Sequence, residues 1–176
     1  MDSEQEKTIE AVRFSIQMEI EGKEYYEEAA EKSLNNAGQE LFGWLAAEEE
    51  KHRNRFEQIY EETREKKAWP RIKFEANFKA RAKNVFFEAI KGISAGMSDS
   101  QGEIELAERA MALEEKTYQY YHERQAKALH KAEKNFYEAI AAEEKGHYLT
   151  LVRYREYVLD PASFFIEGEK PGLDGA

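Results

Sequence analysis

Glu49 and His52 are three residues apart, and so are Glu144 and His147. On a helix that spacing puts both side chains on one face, so a carboxylate and an imidazole reach toward the same point. Glu19 and Glu114 add two more acids, each interrupting an otherwise apolar helical stripe. A carboxylate buried without a partner costs several kcal/mol, and four close together repel one another as well. Such a cluster persists when protons or cations neutralise it. Four carboxylates balance two divalent cations, and two imidazoles complete their ligands. With metals about 3.5–4 Å apart, carboxylates from facing helices can bridge both ions. Glu19 and Glu114 are assigned as terminal ligands and Glu49 and Glu144 as bridges, with His52 on the ion held by Glu19 and His147 on the ion held by Glu114. The chain has no cysteine, so any metal is held by oxygen and nitrogen. That donor set suits iron or manganese, and affinity order alone does not exclude zinc.

The elements that must carry these residues are helices. Ile9, Val12, Ile16, Glu19, Tyr26 and Ala30 recur at steps of mostly three and four, as do Leu41, Leu45, Glu49, His52, Phe56 and Ile59. The same rhythm returns in Ala107, Met111, Glu114, Tyr118, Tyr121 and Ala128, and in Tyr137, Ile140, Glu144, His147, Leu151, Tyr154 and Val158. The first helix is expected to run from a cap at Asp2 or Ser3 to about Ser33, ending in the turn Asn35-Asn36-Ala37-Gly38. The second is expected from about Gln39 to Ala68, stopped at Trp69-Pro70. The third starts near Ser100 or Glu103, the turn after it falls between Leu129 and Glu133, and the fourth ends before Asp160-Pro161. Between them, Phe74, Phe78, Ala82, Val85, Phe86 and Ile90 predict a short amphipathic helix before the loose stretch from Gly92 to Gly96.

Adding 95 to the position carries Glu19 to Glu114, Tyr26 to Tyr121, Glu49 to Glu144 and His52 to His147, and Ala46-Ala47-Glu48 to Ala141-Ala142-Glu143. Two helical hairpins of one design, joined by a long connection, make an all-α four-helix bundle with pseudo-two-fold symmetry. The expected division is a bundle over 1–159, with a crossover at about 70–102, and an irregular tail over 160–176. Tyr26 and Tyr121 lie two turns beyond the terminal glutamates, where they either hydrogen-bond the bridging carboxylates, line the pocket or simply fill the core. Glu48, Glu50, Glu115 and Glu143 read as a solvated outer face, and His122 and His130 as solvated. The Phe-rich stretch from Phe74 to Ile90 reads as packing or a subunit contact.

Composition narrows the function classes. With 26 Lys and Arg against 36 Asp and Glu, the formal net charge is -10, which argues against nucleic acid and acidic membrane surfaces as partners. No apolar run approaches the roughly 20 residues of a membrane span. The acidic, polar start does not read as a secretory signal, so a cytoplasmic location is expected.

The segments Met18 to Tyr26 (MEIEGKEYY), Leu45 to His52 (LAAEEEKH), Leu113 to Tyr121 (LEEKTYQYY) and Ile140 to His147 (IAAEEKGH) resemble the metal-binding helices of the rubrerythrin branch of the ferritin-like superfamily. A Glu from two helices and a Glu-x-x-His from the other two is the di-metal pattern of ferritin-like bundles. The resemblance covers about residues 5 to 159 and extends more softly into the C-terminal residues, which look like the tail of short members. It implies a centre of two iron ions per chain, oxidised usually by hydrogen peroxide and reduced again by a redox partner. Two departures matter. Full-length members carry a four-cysteine rubredoxin domain, so here electrons must come from a separate protein. The peroxidases also tend to carry a further carboxylate one turn after the helix-three ligand, where this chain has Thr117, with Gly22 at the repeat-related position. A redox-linked exchange of that carboxylate with the helix-two histidine is therefore unavailable. The expected role is an oxidoreductase of the oxidative-stress type, with dioxygen reduction or ferrous-iron handling as alternatives and a homodimer as the expected assembly.

Overall fold

The computed structural model of the chain describes residues 3–66, 69–74, 81, 84, 85, 88, 90, 100–162 and 164. Four long helices dominate: α1 (Ser3–Lys32), α2 (Asn36–Lys66), α3 (Ser100–Lys127) and α4 (Lys131–Leu159). α1 packs along α2 and α3 along α4, giving two hairpins that close into a ferritin-like four-helix bundle.

Each helix is held by an apolar stripe, and the stripes meet in two layers. Tyr26, Leu41, Phe42, Leu45, Ala107, Leu151 and Tyr154 form one layer. Val12, Phe56, Ile59, Tyr121, Phe136, Tyr137 and Ile140 form the other. Each fully buried Leu, Ile or Phe contributes roughly 1.5–3 kcal/mol, which offsets the polar residues enclosed between the layers.

The helix ends differ from expectation in instructive ways. α2 begins at Asn36, three residues before the expected Gln39. The Asn35 side chain caps it, its Oδ1 accepting the Gly38 N–H at 2.7 Å while its carbonyl accepts the Gln39 N–H at 3.1 Å. Asn serves turns and N-caps alike, so the apparent turn is a cap followed by the first helical turn. Gly38 is required there by space: a Cβ would collide with the Ser33 hydroxyl, the Tyr154 hydroxyl and the Glu103 carboxylate. The α3–α4 turn occupies 128–130, earlier than expected, with His130 as N-cap. Glu133, in the first turn of α4, faces the backbone N–H groups of Leu129 and His130, reaching back as in half of a capping box. Past α4, the expected irregular tail opens with helix: Pro161, Ala162 and Phe164 are helical, and the Phe164 N–H bonds the Asp160 carbonyl at 3.1 Å. Proline stops a preceding helix but suits the first position of a new one.

Glu103 ties the two hairpins together at one end. Only 3% exposed, it accepts the Leu34 N–H at 2.6 Å, the Ser33 hydroxyl at 3.0 Å and the Tyr154 hydroxyl. Replacing it by alanine leaves the buried Tyr154 hydroxyl and the part-buried Leu34 N–H without their acceptor, at about 1–3 kcal/mol for each left unsatisfied. The Ser33 hydroxyl keeps the Asn35 carbonyl at 3.1 Å. Glu103→Ala is therefore expected to lower unfolding free energy by about 3 kcal/mol in urea titrations. An unchanged midpoint would mean that water replaces the carboxylate at no cost.

The crossover leaves α2 beside the second apolar layer. Trp69 packs on Phe136 and Tyr137 at 5.6 Å each, and Phe74 on Phe136 at 5.4 Å. Further along the chain, Ile90 is buried in the first layer. Arg81, Asn84, Val85, Glu88 and Ile90 are helical, and the Arg81 guanidinium donates to Glu48 at 2.6 Å. Phe78, Ala82, Phe86 and the stretch from Gly92 to Gly96 lie outside the described residues. Among the described residues, no helix is long and apolar enough to cross a membrane.

Candidate metal centre

The bundle brings all six residues singled out by spacing into one buried cluster between the two apolar layers. α1 supplies Glu19, α2 Glu49 and His52, α3 Glu114, and α4 Glu144 and His147, none more than 4% exposed. They form two overlapping sets whose facing oxygen and nitrogen atoms lie within 4.8 Å of one another. One contains Glu19, Glu49, His52 and Glu144; the other contains Glu49, Glu114, Glu144 and His147. Glu49 and Glu144 belong to both. His52 Nδ1 lies 2.8 Å from Glu144 Oε1 and 3.5 Å from Glu19 Oε2. His147 Nδ1 lies 3.4 Å from Glu49, 3.5 Å from Glu114 and 3.5 Å from Glu144. The two imidazole rings stack at 5.4 Å, 24° from parallel.

The cluster's polar balance is unfinished. Glu19 Oε2, Glu49 Oε1 and Glu114 Oε2 are buried without a hydrogen-bond donor among the described residues, and Glu144 Oε1 has only His52 Nδ1, at 2.8 Å. Each such oxygen carries an uncompensated desolvation cost. Protons relieve part of it. Burial pushes the Glu114 carboxyl up to about 8, and burial together with the neighbouring Glu144 and Glu19 pushes Glu49 well up. Burial alone would lower the imidazoles and raise Glu144. Instead the surrounding carboxyl groups, Glu144 first for His52 and Glu114 first for His147, push the imidazoles up, and the two imidazoles keep Glu144 below the usual carboxylate range. Convergent, undonated oxygens and paired imidazole nitrogens are a donor set that fits divalent metal ions.

The rubrerythrin family profile matches residues 10–154. The chain belongs to the rubrerythrin family. A hypothetical protein from Pyrococcus furiosus has a similar structure, with a TM-score of 0.64 and 25% identity over 86% of this chain and 90% of that one. No curated protein sequence matches the chain.

Within this rubrerythrin-family bundle, both tyrosines are core residues and Tyr26 lines the pocket, two of the places open to them from the sequence. Tyr26 of α1 donates to Glu114 of α3, and Tyr121 of α3 donates to Glu19 of α1. Bonds to the shared glutamates, one of the three alternatives, do not form, because each phenol reaches across the antiparallel α1–α3 seam to the non-shared acid opposite. Burial, then the acid beside each ring, raises both phenols well above their usual range, so they remain donors.

Two residues read as solvated are not. Glu143 and Glu48 are buried at 7% and 2% exposure. Glu143 accepts from His52 Nε2 at 3.0 Å and from the Arg55 guanidinium at 2.5 Å. Burial would raise its carboxyl, but His52 and Arg55 hold it below the usual range. An ionised Glu143 keeps the proton on Nε2 and turns Nδ1 toward the cluster. Glu48 is engaged by Lys51 at 2.8 Å and Arg81 at 2.6 Å. The preserved Ala-Ala-Glu of the repeat was the available signal for both. Glu50 is half-buried between Lys23 and Arg53, while Glu115, His122 and His130 are exposed. Loss of such an orienting carboxylate typically weakens metal binding about 10- to 100-fold. Glu143→Gln is expected to do so in a chelator competition, and unaltered affinity would show that His52 needs no support.

A cavity of about 30 Å³, one water's worth of space, opens through the α1–α3 seam past Met18, Gly22, Leu113 and Thr117 to Glu49, Glu114 and Glu144. A Cβ on Gly22 would stand 3.2 Å from Glu49 Oε2. The Thr117 hydroxyl is turned away to the Leu113 carbonyl at 3.0 Å.

Proposed function

We propose that this chain is a cytoplasmic di-iron oxidoreductase that reduces hydrogen peroxide with electrons from a separate protein. The observation that carries the reading is the convergence of four buried carboxylates and two imidazoles in the bundle core, with three carboxylate oxygens lacking a donor among the described residues. Family membership makes iron the first choice of metal, with manganese or zinc as the alternatives the donors accept.

Glu19 and His52 would hold one ion and Glu114 and His147 the other, with Glu49 and Glu144 shared between them. Two ferrous ions held there would supply two electrons, enough with two protons to convert one hydrogen peroxide into two waters. The chain's own residues do the rest. Glu143 and Arg55 keep His52 Nδ1 aimed inward, and Tyr26 and Tyr121 steady the non-shared glutamates with protons they do not release. The apolar layers exclude bulk water and strengthen the electrostatics inside. The Gly22–Thr117 seam admits an oxidant of very few atoms.

Anaerobic loading with ferrous ion, then stopped-flow mixing with peroxide and separately with dioxygen, tests the reading. Near-ultraviolet ferric absorption rising much faster with peroxide supports the peroxidase. An equal or faster rise with dioxygen favours an oxidase or iron-handling role. No absorption change with either removes the di-iron assignment.

A further inference from the structure

An electron taken from a separate protein must enter somewhere, and one surface has the chemistry to receive it. Where the crossover leaves α2 and α4 begins, a groove of about 730 Å³ is lined by Arg71, Lys73, Phe74, Lys131, Asn135 and Phe136 among its walls. The three cations are exposed, and among the described residues the lining contains no acid, in a chain whose net charge is -10. Such a local inversion of charge steers an acidic partner to one place on an otherwise repelling surface.

Two chains of contacts lead inward from this groove. Phe136, in its wall, touches Tyr137 at 5.7 Å, and Trp69 bridges the same two rings at 5.6 Å each. Tyr137 stacks on Tyr121 at 6.0 Å, and Tyr121 donates to Glu19. The second chain starts at Phe74, under the Arg55 guanidinium at 4.6 Å, and passes through Arg55–Glu143 at 2.5 Å to His52 at 3.0 Å. Both end on the same set of candidate ligands, the one that contains Glu19 and His52.

We propose that the groove formed by Arg71, Lys73 and Lys131 docks a small acidic protein carrying a one-electron redox centre, and that Tyr137 and Tyr121 conduct its electron to the Glu19–His52 metal position. Resting on the peroxidase reading, the balance is simple. Each encounter oxidises one donor centre by one electron, and two encounters restore the two electrons that peroxide withdraws.

The experiment uses the full chain loaded with zinc, which is redox-silent, and an acidic plant-type [2Fe–2S] ferredoxin as probe. Amide NMR titration at low ionic strength is expected to show shifts at Arg71, Lys73, Lys131 and Asn135. Physiological salt should weaken binding by about 10-fold, as should the triple variant R71E/K73E/K131E, with helix content by circular dichroism confirming that it folds. In the iron-loaded protein, Tyr137→Leu should slow reduction by the ferredoxin about 10-fold or more while leaving its binding unchanged. No shifts at low salt, shifts centred away from the groove, or binding that survives triple charge reversal would overturn the proposal. A failed peroxidase reading shows separately, in the stopped-flow rates with peroxide, which do not involve the groove.

Discussion

Glu49→Leu is expected to abolish two-metal binding and, at the same time, to make the metal-free protein more stable. Glu49 is common to both ligand sets, so its loss removes an oxygen from each metal position. Bound metal should fall from two ions per chain to one or none. The gain in stability follows from the same geometry. Glu49 is 4% exposed, its Oε1 has no donor among the described residues, and it faces three other glutamates. Replacing buried ionisable groups with apolar residues of similar volume is often neutral or stabilising by about 1–4 kcal/mol. His147 keeps Glu114 and Glu144 as neighbours, so no imidazole is stranded by the change. The check is a pair of denaturation curves in chelator. A fall in metal-free stability would show that Glu49 is part of a structural polar network, and the metal-centre reading would lose its main support.

The complementary expectation concerns the wild-type chain. Loading two divalent ions should raise its melting temperature by about 10–20 °C, reversibly with chelator. A ligand at a hundred times its dissociation constant stabilises by about 2.7 kcal/mol per site, and a domain of this size gains roughly 2–4 °C per kcal/mol. Ferrous, manganous and zinc ions should all produce the shift, because it reports occupancy rather than redox chemistry. Calorimetry with and without metal measures it directly. A melting temperature indifferent to every divalent ion would leave a helical interaction module with a degenerate site. Together with Glu49→Leu, the result separates a site whose charge is waiting for cations from one that protons alone satisfy.

Much of this protein was legible in one dimension. The 3.6-residue rhythm identifies four helices, and the offset of 95 pairs them into hairpins. Six ionisable residues on otherwise apolar lines mark the cluster, because a helix converts spacing into a shared face without reference to its neighbours. What spacing cannot convey is how the helices are rotated and shifted against one another. That relative placement sends Tyr26 and Tyr121 across the seam to Glu114 and Glu19, and draws Glu143 under His52 with Arg55 above it. It also brings Glu103 from α3 onto the α1–α2 turn, where Gly38 must stay small. Local ends escaped for a related reason: Asn35 and Pro161 are compatible with both stopping and starting a helix, and only the surrounding packing selects between them. Short-range periodicity was enough for the fold class and for the membership of the cluster. Which atoms face each other emerges only in the packed bundle, because it depends on contacts between residues far apart in the chain.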